Sequence, residues 1–242
     1  MNKVFITSSV GSSKKVDGKR IPVAMDNSFL FVDVLKKQIN NFNSFVMVCG
    51  DPKEYDFNDL KFDILRKSLL LSGLEFDNYY LIDYRTDDVE SIIKNGSLIY
   101  LDGGHPQTQM SYFEEINLRE IFKLTNTTIV GNSAGSMNLA NVVYCAPEDI
   151  TQINDERFYS GLGLTDINIE PHFINDESCF SNEEKTLRTI LYDDSKKVDI
   201  ICVTDGSFIL QIGDDISYFG DIYTIKDGVK SFISGLKKGG IR

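Results

Sequence analysis

Short apolar runs alternate along this chain with longer stretches whose apolar positions recur at helical spacing. Lys3–Thr7 reads as a first strand, and Phe45–Cys49 as a second, closed by Gly50-Asp51-Pro52. Tyr79–Asp83 and Ser97–Leu101 follow, the latter ending in Gly103-Gly104, and Thr127–Val130 runs straight into Gly131. Between them, Ser28–Phe42 carries a helical stripe of Phe29, Leu30, Val32, Val34, Leu35 and Ile39. Phe57–Leu71 predicts a second helix with Asn58 as its cap, and Gln109–Leu124 a third on Met110, Phe113, Ile116, Ile121 and Phe122. Strands that are apolar throughout and separated by helices predict a doubly wound α/β fold whose mostly parallel sheet is covered on both faces. Beyond Leu164 the strands come closer together, at Ile200–Thr204, Phe208–Ile212 and Tyr218–Ile225. They predict an antiparallel C-terminal edge on the same sheet. No linker or repeat divides the chain, so residues 1–242 are expected to form one domain.

Composition narrows the function classes. A chain of 242 residues, 42% hydrophobic, has enough apolar material for a substantial core, and its net charge of −11 disfavours nucleic acid, whose phosphates need clustered Lys and Arg. The first apolar run is too short for a signal-peptide core, and no run approaches the ~18 residues of a membrane span. Cys49, Cys145, Cys179 and Cys202 show neither a CxxC pair nor metal-type spacing, and Asp87-Asp88, Asp193-Asp194 and Asp214-Asp215 lack histidine partners. The expectation is a reduced, cytoplasmic protein, monomer or homodimer, with no metal, cofactor, nucleic-acid or membrane partner.

In parallel sheets chemistry gathers at the carboxyl ends of the strands. There the chain carries Gly131-Asn132-Ser133-Ala134-Gly135. The bare GxSxG pattern is weak, but here it follows a strand and precedes a helix-like run, Met137–Val143, the strand–elbow–helix setting that exposes a serine hydroxyl on a tight turn. A serine nucleophile needs a base, and the chain has two histidines. His172, in Ile169-Glu170-Pro171-His172-Phe173, ends a strand-like run and is the candidate base. His105, between Gly103-Gly104 and Pro106, is a candidate for the pocket wall together with Asn132, while Gly103-Gly104 offers an oxyanion donor. For the acid that orients the imidazole, Glu148, Asp149 and Asp205 all lie where the rim of a parallel sheet is within reach.

Taken together, Leu101-Asp102-Gly103-Gly104, Gly131-Asn132-Ser133-Ala134-Gly135-Ser136, Pro171-His172-Phe173 and Ile200–Ser207 make the sequence resemble the S51 serine peptidases, the family of dipeptidase E and cyanophycinase. The resemblance implies a flavodoxin-like sheet related to class I glutamine amidotransferases, with Ser133 as nucleophile and His172 as base. It implies Glu148 as the acid, with Asp205 as the alternative, and an oxyanion hole from the amides of Gly104 and Ala134. Dipeptidase E is expected to hold a substrate aspartate with an arginine. Glu183 aligns at that place, with Arg188 one turn beyond, which argues against strict Asp-X specificity. Where the family usually has Asn-Thr after the glycines, this chain has His105-Pro106-Gln107-Thr108. The expected function is serine-type hydrolysis of small peptides through an acyl-enzyme. The alternatives are a non-catalytic member of the fold that binds a small ligand, and a small-molecule serine esterase; the latter expects an HGGG-type loop and a late histidine that the chain lacks.

Overall fold

In the computed structural model, which describes residues 2–234, β1 (Lys3–Thr7) is followed by a hairpin of β2 (Ser13–Val16) and β3 (Lys19–Pro22), then α1 (Phe31–Gln38) and β4 (Ser44–Val48). Next come α2 (Tyr55–Leu71), β5 (Asn78–Ile82), α3 (Val89–Lys94), β6 (Leu98–Leu101), α4 (Pro106–Glu115), α5 (Leu118–Lys123) and β7 (Thr128–Asn132). A single turn, α6 (Ala134–Met137), leads to β8 (Val142–Tyr144), β9 (Phe158–Ser160), β10 (Asn168–Glu170) and α7 (Asn182–Asp194). The described chain closes with β11 (Ile200–Val203), β12 (Phe208–Ile212), β13 (Asp215–Phe219), β14 (Asp221–Lys226) and β15 (Val229–Ser234). Met1 and residues 235–242, which the expected single domain takes in, lie outside the described residues.

The central sheet runs β13-β12-β1-β7-β6-β4-β5. From β1 to β5 every pair is parallel, whereas β12 and β13 add antiparallel strands at one end. Both faces are buried, as the unbroken apolar strands require: in β1, Val4 and Ile6 enter one core and Phe5 the other, and in β4 Val46 and Val48 part from Phe45 and Met47 in the same way. Helices α1 and α2 cover the Phe5 face through Phe31, Leu35, Leu65 and Leu69, and α4 and α5 cover the other through Phe113 and Phe122. Phe208 is fully buried, stacked on Phe219 at 4.3 Å and packed edge-on against Phe31 at 5.2 Å. Phe208→Ala is expected to lower unfolding free energy by about 3–5 kcal/mol, read by urea denaturation.

Where the sequence expectations differ from the fold, local chemistry explains it. The predicted helix 109–124 is two helices, because Asn117 adopts φ 55° and turns the chain between α4 and α5. Asn58 is not a cap: α2 starts earlier, and Asn58 is buried in its first turn with Nδ2 donating to the Asp51 carbonyl at 2.8 Å. Of Met137–Val143 only Met137 is helical, as the last residue of α6. Val142 and Val143 are β-branched and pair with β9, and Asn138 donates its side-chain amide to the Pro106 carbonyl and to Gln109 Oε1. The C-terminal strands do not all extend the central sheet. Tyr218–Ile225 divides at Gly220, and β14 joins a second sheet, β10-β11-β14-β15, in which β10 and β11 are parallel. Among the described residues no helix is long and apolar enough to cross a membrane.

Candidate active site

Ser133 sits immediately beyond β7, at the carboxyl end of the central sheet. Its backbone adopts φ 51°, ψ −115°, a conformation that costs an L-residue about 1–3 kcal/mol and is held by its surroundings. The Ser133 amide donates to the Thr7 carbonyl at 3.1 Å, and the buried Ser136 hydroxyl bonds the Thr7 backbone at 2.8 Å. The motif glycines are required by close approach rather than by φ. A β-carbon on Gly131 would lie 2.6 Å from Ser136 Cα, and one on Gly135 would run into the Leu101 carbonyl.

The second sheet supplies the partners of the serine. His172 lies just past β10 and Asp205 just past β11, and the parallel pairing of those strands sets the two loops side by side. His172 Nε2 is 3.0 Å from Ser133 Oγ, and His172 Nδ1 is 2.8 Å from Asp205 Oδ1. The histidine backbone has φ 55°, fixed by its amide donating to Ser8 Oγ at 2.6 Å, while Ser8 Oγ donates to Asp205 Oδ1 at 2.6 Å. Ser8, fully buried at the carboxyl end of β1, escaped the sequence reading. Its signal was its place directly after the first strand.

Glu148 stands apart from this chain of contacts. It is exposed, its amide donates to Gln152 Oε1 at 2.8 Å, and its carboxylate makes no hydrogen bond to His172. Asp149 is engaged by the Thr151 amide at 2.7 Å. The carboxylate on Nδ1 is therefore that of Asp205, where the resemblance had pointed first to Glu148. The bond to Asp205 raises the His172 pKa above the ordinary histidine range against the opposing effect of burial. The same bond lowers the Asp205 carboxyl, opposed by burial and aided by Ser8.

Beside the serine, the Gly103–Gly104 loop follows β6 and packs against β7, so close that a β-carbon on Gly103 would be 3.5 Å from Ser133 Cβ. Lys61 of α2 clamps this loop, pairing with the buried Asp102 carboxylate and donating to the Gly103 carbonyl at 2.7 Å. Among the described residues the amides of Gly104 and Ala134 have no hydrogen-bond partner.

The model of peptidase family S51 matches residues 62–219, which spans α2 to β13 and takes in Gly104, Ser133, His172 and Asp205. The chain belongs to peptidase family S51. With that family it is a serine peptidase. Two solved structures share its fold: a peptidase from an acI-B1 Actinobacterium (TM-score 0.64, 15% identity, 97% of this chain and 94% of that one) and a putative peptidase E protein from Listeria monocytogenes EGD-e (TM-score 0.60, 15% identity, 97% and 100%). No curated protein matches the sequence.

Two cavities open on Ser133 of this S51 peptidase, and both are also lined by Gly104 and His172. The first, about 380 Å³, runs between the 145–148 segment and α7 and holds Glu148, Glu170, Glu184 and Arg188. Burial pushes the Glu170 carboxyl up to about 7, against the pull of Arg188 and His172. Arg188 stacks on Phe173 at 4.2 Å and donates to the Ile174 carbonyl, leaving its Nη1 buried without a hydrogen-bond partner. Glu183, whose charge was expected to repel an acidic substrate, lies outside both cavities and accepts from the Ile150 amide at 3.4 Å. Asn132 lines the second cavity, its Oδ1 accepting from the Val10 amide at 3.4 Å. His105 lines neither. It caps α4, with Nδ1 accepting from the Thr108 amide at 3.3 Å. No group of three or more potential metal ligands occurs among the described residues.

Proposed function

We propose that the chain hydrolyses short peptides, dipeptides among them, by nucleophilic catalysis from Ser133. The observation that carries this reading is the continuous contact from Ser133 Oγ through the His172 imidazole to Asp205. In the reaction, neutral His172 takes the Ser133 proton at Nε2 as Oγ adds to the scissile carbonyl. The developing oxyanion faces the unpaired amides of Gly104 and Ala134, and Asp205 stabilises the imidazolium. Nε2 then gives its proton to the departing amine, leaving an acyl group on Ser133 Oγ. Water, deprotonated by His172, adds to that ester, and the serine leaves with the proton returned to it.

Small substrates are favoured because the serine is reached through two cavities of a few hundred Å³. The first of them suits the free N-terminus of a peptide. Glu148 and Glu184, joined by Glu170 where it is ionised, attract an ammonium group, and Arg188 has a buried donor to spare for an acidic side chain. Mass-spectrometric hydrolysis of a panel of dipeptides and short peptides, Asp-X members included, tests the reading. Wild type is expected to cleave members with a free N-terminus and to leave N-acetylated counterparts intact. A folded protein that cleaves none of them overturns the proposal.

The His172–Asp205 contact also sets a pH dependence. The base acts only when neutral, and its pKa is raised, so activity is lost as pH falls through that raised value. Asp205, with its pKa lowered, stays ionised throughout this window. The acid limb of kcat/KM is expected above the ordinary histidine value of about 6.5. A limb at or below it in a pH–rate profile counts against the assignment.

A further inference from the structure

We propose that the second cavity at Ser133, with Arg20 in its wall, is a subsite for the C-terminal carboxylate of the residue that leaves. The proposal rests on the peptidase reading above and extends it to the other half of the substrate.

The cavity measures about 450 Å³ and lies between the β2–β3 hairpin, α2 and the serine loop. Apart from the shared His172, its charged lining is Arg20, Lys61 and Asp102. Lys61 and Asp102 form an ion pair with each other, so they cancel, and Lys61 is further committed to the Gly103 carbonyl. Arg20 is different. It stands on β3 opposite Lys15 of β2, in a hairpin packed on α2, and among the described residues its guanidinium makes no salt bridge and no hydrogen bond. The chain carries a net charge of −11, yet the only acid whose charge this guanidinium is seen to act on, among the described residues, is the buried Asp102, which Lys61 already pairs; Arg20 lines a polar hollow with Ser12, Ser13 and Asn132.

The two cavities therefore differ in sign on either side of one nucleophile. The first presents Glu148 and Glu184, with Glu170 ionised for part of its population near neutral pH, against Arg188, and the second presents Arg20, whose guanidinium has no hydrogen-bond partner among the described residues. A dipeptide in its ordinary zwitterionic form has the matching polarity, with an ammonium before the scissile bond and a carboxylate one residue after it. Arginine's planar fork binds a carboxylate through two parallel hydrogen bonds, a geometry an amide does not reproduce. Reading both termini makes the site selective for length, because a longer C-terminal extension removes the carboxylate from Arg20.

The experiment compares X-Leu dipeptides as free acids and as C-terminal amides. For wild type, kcat/KM for the acid is expected to exceed that for the amide by tenfold or more. In Arg20→Ala the acid-to-amide ratio should fall by about ten- to a hundredfold, the range for a charge-assisted hydrogen bond, with Arg20→Lys in between. Arg20 is exposed on a hairpin, so the variant is expected to fold. Calorimetric binding of the same pair to Ser133→Ala, with and without Arg20→Ala, reads the subsite without turnover. A wild-type ratio near one, or a ratio and binding difference unmoved by Arg20→Ala, overturns the subsite while leaving the peptidase reading standing. No cleavage by wild type, with Arg20-dependent binding of the acid over the amide, overturns the peptidase reading and keeps a carboxylate site.

Discussion

Ser133→Ala is expected to lower kcat for the best short-peptide substrate by about 10⁵- to 10⁶-fold while leaving its KM or Kd within a few fold. Only the hydroxyl is lost, and it supplies the one bond that the acyl-enzyme requires. The residual rate is the part due to binding and to the Gly104 and Ala134 amides. The fold is expected to survive. Among the described residues Ser133 Oγ hydrogen-bonds only His172 Nε2, at 3.0 Å, and the elbow is held by backbone bonds to Thr7 and by Ser136. Alanine meets the same backbone strain at φ 51° that serine does. Steady-state kinetics with intact-mass analysis checks this. A variant retaining more than about a hundredth of the activity removes Ser133 from the nucleophile's role.

The next largest effect is expected from the acid. Asp205→Asn should lower kcat by about 10³- to 10⁴-fold, because an amide facing Nδ1 no longer holds the tautomer that presents a bare Nε2 to the serine. The acid limb of the pH profile should move down as well, since the bond that raises His172 is gone. Glu148→Gln is the contrast. Its carboxylate does not touch the imidazole, so a change of less than about tenfold, seen mainly in KM, is expected from a residue lining the first cavity. A collapse in Glu148→Gln with Asp205→Asn near wild type would reverse the assignment. Ser8, fully buried, bridges Asp205 and the His172 amide, so it positions both groups.

Much of this protein was legible in one dimension. Apolar runs at Phe45–Cys49 and Ser97–Leu101, separated by amphipathic stretches, carried the α/β class, because a strand buried on both faces has no polar side to show. The GxSxG motif was legible through its context, since a serine between a strand and a turn at the carboxyl edge of a parallel sheet has few other settings. The motifs around Gly103-Gly104, Ser133, His172 and Asp205 carried the family.

The structure decided what depends on long-range pairing. Asp205 reaches His172 because β10 and β11 lie parallel, Asn168 opposite Ile200, in a sheet that local periodicity read as an extension of the central one. Nothing in the residue types of Glu148, Asp149 and Asp205 separates them, as each is an acid in a loop. Arg20 comes to line the same cavity as Ser133 in the same way, through a hairpin packed on α2 and far from Ser133 in the chain. Side-chain chemistry and local hydrophobic spacing are written residue by residue, so the sequence determined the fold class and the strand–turn setting of Ser133. Which loops share a rim depends on strand register between segments far apart in the chain, and only the tertiary structure sets that.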